Sequence, residues 1–415
     1  MKKKGSIISI AVVLILGLSL ILGCGPKEAV PEEEKYIAYL SLSDYTGPAA
    51  SMNLAGEMGT TDYFKYFNDE GGVNGVKVKF IGVDTRYEVA RAISAYHMYR
   101  REPNLMVVFI PNTGAAKALS PLLEEDKRLA LSPGASDFQL HPGRVFGLGP
   151  LYQDGFGAVV DFVLQDWQNQ GKTGRPKLGY IHWDNSPGRE SLLGGREYAE
   201  LRGVELLTPQ FFPMGTLKRD IYLDKVGEAD YIFLGPSEPE SALFIKDAHQ
   251  KGLTDKTRFI AGYFGLDEAI GMKEFPGVSE GVWRVTIGAL GDEARSNPLI
   301  SEIWNRYRDE PITEMPALYA LAMTYAMSVD AALRVALEEV SYEELDGDDM
   351  YAAYQKLTGT DAFHSVMGTC AYSPTSRRGS EYVKFYKVEN NTYVVISDWW
   401  KIPLNPSVLD LHDWD

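Results

Sequence analysis

Asn112, Thr113, Gly114 and Ala115 follow an apolar run and open an amphipathic one. The first main-chain N–H groups of a helix have no partner within it and the helix dipole is positive there, so this segment suits a carboxylate. Asn and Thr also cap helices where no ligand binds, which is the plainer account of the same residues. Other strand-end segments carry Tyr45 and Thr46, Ser132 and Gly134, Trp183, Asp184 and Ser186, Ser237 and Glu238, and Tyr263 and Phe264. In open parallel sheets ligands settle at such ends. Exposed turns for Tyr45 and Thr46, a turn filler for Ser132 before Pro133, and core packing for Trp183 are the competing readings. Asp184, Glu190 and Glu238 could alternatively serve as acid and base in a hydrolase. No Walker loop, GxGxxG, HExxH, GxSxG or CxxC accompanies them, and His97, His141, His182, His249, His364 and His412 are too dispersed for a local metal pair. No catalytic residue, metal or cofactor is therefore expected.

The elements that must carry these loops begin only after a leader. Lys2, Lys3 and Lys4 precede an apolar or small-residue run over 5–23, in the order of a secretory signal. Ile21, Leu22, Gly23 and Cys24 resemble the lipobox of bacterial lipoproteins, although Leu22 stands where a smaller residue is commoner. The run, about 17 to 19 apolar residues, would also just span a bilayer. The polar, Pro-containing stretch that follows favours a tether behind a lipidated Cys24. The expectation is a signal peptide over 1–23, a tether over 24–35 and a folded remainder anchored outside the cytoplasm. Cys370 is the other cysteine, so with Cys24 lipidated no internal disulfide forms. The net charge is −16, and loss of the three leader lysines makes the mature chain more acidic still, which argues against nucleic acid as a partner.

The remaining chain, about 390 residues, exceeds one ordinary core and predicts two domains. Strands are expected at 36–42, 76–83, 105–110 and 129–131, with helices at 49–68, 88–101 and 115–125 between them. A second series runs through helix 155–170, strand 177–182, helix 190–201, strands 204–207 and 231–234, helix 239–251 and strand 259–261. After Val285 the order changes to helices at 299–308, 317–338 and 343–357. Strands at 382–388 and 393–396 flank Asn390 and Asn391 as a closing hairpin. The fold class is α/β: two Rossmann-like lobes with parallel sheets, over 36–150 and 151–285, joined by a hinge. Residues 286–415 return across that hinge and complete both lobes.

The chain resembles the type I periplasmic binding proteins of the branched-chain amino acid (leucine/isoleucine/valine-binding) family over essentially its whole mature length. The resemblance is carried by the loop from Ser43 to Ala50, the turn Asn68-Asp69-Glu70-Gly71-Gly72-Val73-Asn74-Gly75, the PNTGAAKALSP stretch from Pro111 to Pro121, Ser132-Pro133-Gly134-Ala135, Asp154-Gly155, and Pro316-Ala317-Leu318-Tyr319-Ala320. Gly71 and Gly72 are structural, since they permit a tight end to a helix. The resemblance implies a monomeric extracytoplasmic solute-binding component of an ABC importer, which is not an enzyme. Its implied partners are a small amino acid-like or carboxylate ligand, permease and ATPase subunits, and the membrane through its lipid anchor. It further implies that the Thr113 loop holds a ligand carboxylate and that an aromatic near Trp183 covers the ligand. The sequence departs from the amino acid binders where an acidic residue would hold the ligand ammonium, because Tyr263 and Phe264 stand there. Asp184, Glu238, Asp267 or cation–π contact with the aromatic pair could take over. A sensory module is the rival reading; that no signalling domain follows Asp415 weighs against it.

Overall fold

The computed structural model describes residues 34–134, 136–140, 143–359, 363–373 and 376–403. The expected leader, Cys24 and nearly all of the tether lie outside the described residues.

The first sheet is built from β1 (Tyr36–Ser41), β2 (Lys77–Gly82), β3 (Leu105–Phe109), β4 (Leu129–Leu131) and β5 (Val145–Phe146), in the parallel order β2-β1-β3-β4-β5. β1 and β3 are apolar runs, not alternating ones, because helices cover both faces of an inner parallel strand. The connecting helices are α1 (Ala50–Asp69), α2 (Val89–Tyr99) and α3 (Thr113–Glu125). α1 ends at Gly71 and Gly72, both at positive φ, and a Cβ on Gly72 would lie 2.1 Å from the Val76 carbonyl oxygen.

The second sheet receives α4 (Tyr152–Asn169), β6 (Lys177–Trp183), α5 (Ser186–Glu190), α6 (Gly195–Arg202), β7 (Glu205–Leu206), β8 (Gln210–Phe212), α7 (Asp220–Lys225), β9 (Tyr231–Leu234), α8 (Glu240–Gln250), β10 (Arg258–Ala261) and β11 (Trp283–Thr286). β8, α7 and β11 were not expected from sequence. β11 is hidden because Arg284 interrupts its apolar pattern. That guanidinium is buried by donating to the Leu266 and Tyr263 carbonyls at 2.9 Å each. Val285 thus lies inside a strand.

After α9 (Gly291–Arg295), α10 (Pro298–Tyr307), α11 (Ala317–Glu339), α12 (Gly347–Gln355) and the small ribbon β12 (Thr358–Gly359) and β13 (Cys370–Ala371), the chain forms the hairpin β14 (Tyr382–Glu389) and β15 (Thr392–Val395). β14 pairs antiparallel with β11, so the hairpin extends the second sheet. Asn390 and Asn391 both take positive φ, and Glu280 accepts their N–H groups at 3.0 and 2.8 Å. That is the expected turn chemistry.

α11 is buried along most of its length and lies against α1. A Cβ on Gly59 of α1 would come 2.1 Å from the Tyr319 carbonyl oxygen, so the backbones meet almost directly. Polar ties flank this contact. Asp62 accepts two bonds from Arg308 at 2.6 and 2.8 Å and one from Tyr319 at 3.0 Å, while Tyr63 donates to Asp330 at 2.8 Å. The segments that pass between the sheets are also bonded to one another: Gly147 N–H to Arg377 O at 2.8 Å, Ser380 N–H to Leu148 O at 2.8 Å, and Ala289 N–H to Val366 O at 2.7 Å.

Candidate ligand-binding cleft

The C-terminal ends of β3 and β4 face those of β6, β9 and β10 across a cleft of about 1020 Å³, open solvent included. One wall carries Tyr87, Phe109, Pro111, Pro133 and Gly134; the other carries His182, Trp183, Phe233, Gly235, Ser237, Tyr263 and Phe264. Three helices close the sides, with Met52, Asn53, Gly56, Glu57 and Thr60 from α1, Tyr152, Gly155 and Phe156 from α4, and Leu318, Leu321, Ala322 and Tyr325 from α11.

The rings support one another. Phe156 meets Phe233 edge-on at 5.6 Å between centroids, Phe109 meets Tyr325 at 5.0 Å, and Tyr263 meets Phe264 at 6.2 Å. Two tyrosine hydroxyls, Tyr263 Oη and Tyr325 Oη, are buried with no hydrogen-bond partner among the described residues. Tyr263 reaches its position because residue 155 is glycine: a Cβ there would lie 1.5 Å from its hydroxyl oxygen. A Cβ on Gly235 would likewise lie 1.9 Å from His182 Cδ2. Burial drives the His182 pKa down to about 3, against a weaker upward pull from the Trp183 main chain, so the ring is neutral at physiological pH.

Glu57 is the one charged side chain lining the cleft among the described residues. Its Oε2 accepts from Tyr45 Oη at 2.6 Å and from Ser41 Oγ at 3.2 Å. Burial raises its pKa, while those hydroxyls pull it back.

Of the residues read from sequence, Gly134, Trp183, Ser237, Tyr263 and Phe264 line this cleft, and the others stand behind or away from it. Asn112 caps α3 by accepting the Ala115 N–H at 3.0 Å and donates from Nδ2 to the Tyr87 carbonyl at 2.7 Å. Arg86 and Tyr87 both have positive φ, a conformation costing about 1 to 3 kcal/mol per residue, and Asn112 helps to hold it. Thr113 Oγ1 is 3.0 Å from Tyr152 Oη and so touches a lining residue from behind. Gly114 and Ala115 continue the first turn of α3, with Ala115 fully buried. Ser132 donates to Ile110 O at 2.8 Å and accepts from Gly134 N–H at 3.1 Å.

Tyr45 reaches the cleft only through Glu57, and Thr46 donates to Asp84 at 2.6 Å on the exterior. Asp184 pairs with Arg189 at 2.8 Å on the surface, and Ser186 donates to Glu190 at 2.6 Å. Glu238 is buried, with Oε1 accepting from Asp267 N–H at 2.6 Å. Asp184, Glu190 and Glu238 therefore do not meet as an acid–base pair in the cleft. Trp183 offers its ring to the cleft while its indole N–H is committed to Glu240 behind it.

The sequence reading missed Glu57 and the α1, α4 and α11 faces. Met52, Asn53, Gly56, Glu57 and Thr60 recur at helical spacing, so a carboxylate within a small and apolar stripe was the available signal.

Two sheets whose parallel strands end on opposite sides of a ring-lined cleft define a two-lobed binding protein of type I architecture. The chain belongs to the periplasmic binding protein family, whose sequence model matches residues 41–392. It is 25% identical over 299 residues to Leu/Ile/Val-binding protein homolog 1 of Brucella suis biovar 1 (strain 1330), covering 69% of this chain and 76% of that one. Its fold is similar to that of a branched chain amino acid ABC transporter protein from Thermus thermophilus with bound valine, with TM-score 0.79, 19% identity, and 91% of this chain and 99% of that one covered. It is also similar to a solute binding protein of an ABC transporter from Rhodopseudomonas palustris HaA2 in complex with p-hydroxybenzoic acid, with TM-score 0.74, 15% identity, and 89% and 98% covered.

Proposed function

We propose that this chain is the extracytoplasmic solute-binding component of an ABC importer. It captures a small molecule in the cleft between lobes 36–150 and 151–285, with 286–415 completing both, and presents it to permease and ATPase subunits. Lipidation at Cys24 anchors a monomer to the membrane. The observation that carries this reading is the cleft: strand ends from two sheets converge on a space of small-molecule size that is walled by rings and carries few polar groups. The bonded crossing segments at 147–150, 287–290 and 377–380 supply a narrow hinge about which the lobes close. In this reading ligand stabilises the closed form, and the closed form is what the permease recognises.

The test is a thermal screen of amino acids, aromatic acids, aliphatic carboxylates, amides and amines, followed by small-angle scattering with the best binder. A ligand at about a thousand times its dissociation constant adds roughly 4 kcal/mol, which raises the midpoint by several degrees. The radius of gyration falls on saturation. A saturated protein whose scattering profile matches that of the free protein would refute closure.

A further inference from the structure

We propose that Glu57 is a cation subsite, and that the cleft selects a ligand with a protonated amine or similar cation on an apolar, ring-sized body over a carboxylate on the same body; this rests on the solute-binding reading.

The argument starts from charge. Glu57 lines the cleft, and among the described residues it forms no ion pair. Its partners are neutral hydroxyls, with Tyr45 and Ser41 both donating to Oε2. A carboxylate held against apolar walls without a countercharge is costly, and a cation brought by the ligand removes that cost. No lysine or arginine lines the cleft among the described residues, so a ligand anion would meet one negative charge and no positive one. The positive end of α4 opens close by at Tyr152 and Gly155, but Asp154 already occupies its first turn and is paired with Arg378 at 3.2 Å.

The remaining polar groups are neutral. The unpartnered hydroxyls of Tyr263 and Tyr325 can accept from an ammonium or donate to a ligand oxygen. The rings of Tyr87, Trp183 and Phe264 border the cleft, and aromatic rings suit both a flat body and, through their quadrupoles, a cation. The chain as a whole has 57 acidic against 41 basic residues, which biases the approach of a ligand in the same direction.

The test compares three ligands that share a phenylethyl body, on the full chain, by calorimetry and thermal shift: 2-phenylethylamine, 3-phenylpropanamide and 3-phenylpropanoate. The expected order of affinity is amine, then amide, then carboxylate. Glu57→Gln should weaken the amine by about tenfold or more and the amide by less, since only the amine loses a full charge pair. Carboxylate binding as tight as the amine, or an amine affinity untouched by Glu57→Gln, would overturn the cation subsite and leave the solute-binding reading standing. Failure of all three to bind would overturn the cation subsite and count against that reading as well. Should Glu57→Gln not fold, the wild-type order of the three ligands decides.

Discussion

Gly155 provides the room that Tyr263 occupies. A methyl group there would sit 1.5 Å from the tyrosine hydroxyl, so Gly155→Ala must move a ring that lines the cleft. Ligand affinity should fall while stability drops by about 1 to 3 kcal/mol, as overpacking costs. Calorimetry together with urea denaturation separates the two effects, and unchanged affinity would mean that Tyr263 does not contact ligand. The sequence pointed to Tyr263 as a strand-end residue, and Gly155 only as part of a family resemblance. That one must be glycine because of the other is visible only when α4 is brought against the loop after β10. Asn112 teaches the same lesson. Its capping role was legible from residue type, but its bond to the strained Tyr87 carbonyl was not.

At the scale of elements, the α1–α11 crossing fixes one side of the cleft, since Gly56 and Ala322 line the cleft at the point where the two helices touch. Gly59→Ala would drive a methyl group to 2.1 Å from the Tyr319 carbonyl oxygen, which is backbone and cannot swing aside. A loss of about 1 to 3 kcal/mol is expected, seen as a lower urea midpoint with an unchanged slope. Stability equal to wild type would show that the crossing tolerates wider spacing. The two helices themselves were legible from apolar spacing in 49–68 and 317–338. Their contact was not, because it joins segments far apart in the chain.

For the molecule as a whole, buried carboxyls set the pH response. Burial raises Asp154 to about 6, opposed by Arg378; it raises Glu240 to about 7, opposed by the Gly215 N–H; and it raises Glu238 to about 8, opposed by the Asp267 N–H. A carboxyl whose folded pKa exceeds its unfolded value keeps its proton longer in the native state. Stability therefore falls as pH rises through the interval between the two values. His182, lowered to about 3, acts in the opposite sense: the unfolded state takes up its proton below about 6.5, so stability is lost on acidification there. Above about 6.5 the carboxyls act without that opposition. The melting midpoint should decline between about pH 6.5 and 8.5, and Glu238→Gln should flatten the upper part of that decline. A midpoint that rises across this window would show that Glu238 is ionised in the folded protein.

What was legible in the sequence was local: which runs form strands and helices, where Gly71 and Gly72 stop a helix, where Asn390 and Asn391 turn a hairpin, and which loops follow strand ends. Those properties follow from side-chain shape, periodicity and turn chemistry within a few residues. The tertiary structure decided which of these loops meet, that Arg284 sits inside a strand with two carbonyls to receive it, and that Glu57 of α1 lines the cleft. Burial, pairing and the opposing faces of a cleft depend on residues far apart in the chain, and only packing brings them within the few ångströms over which such forces act.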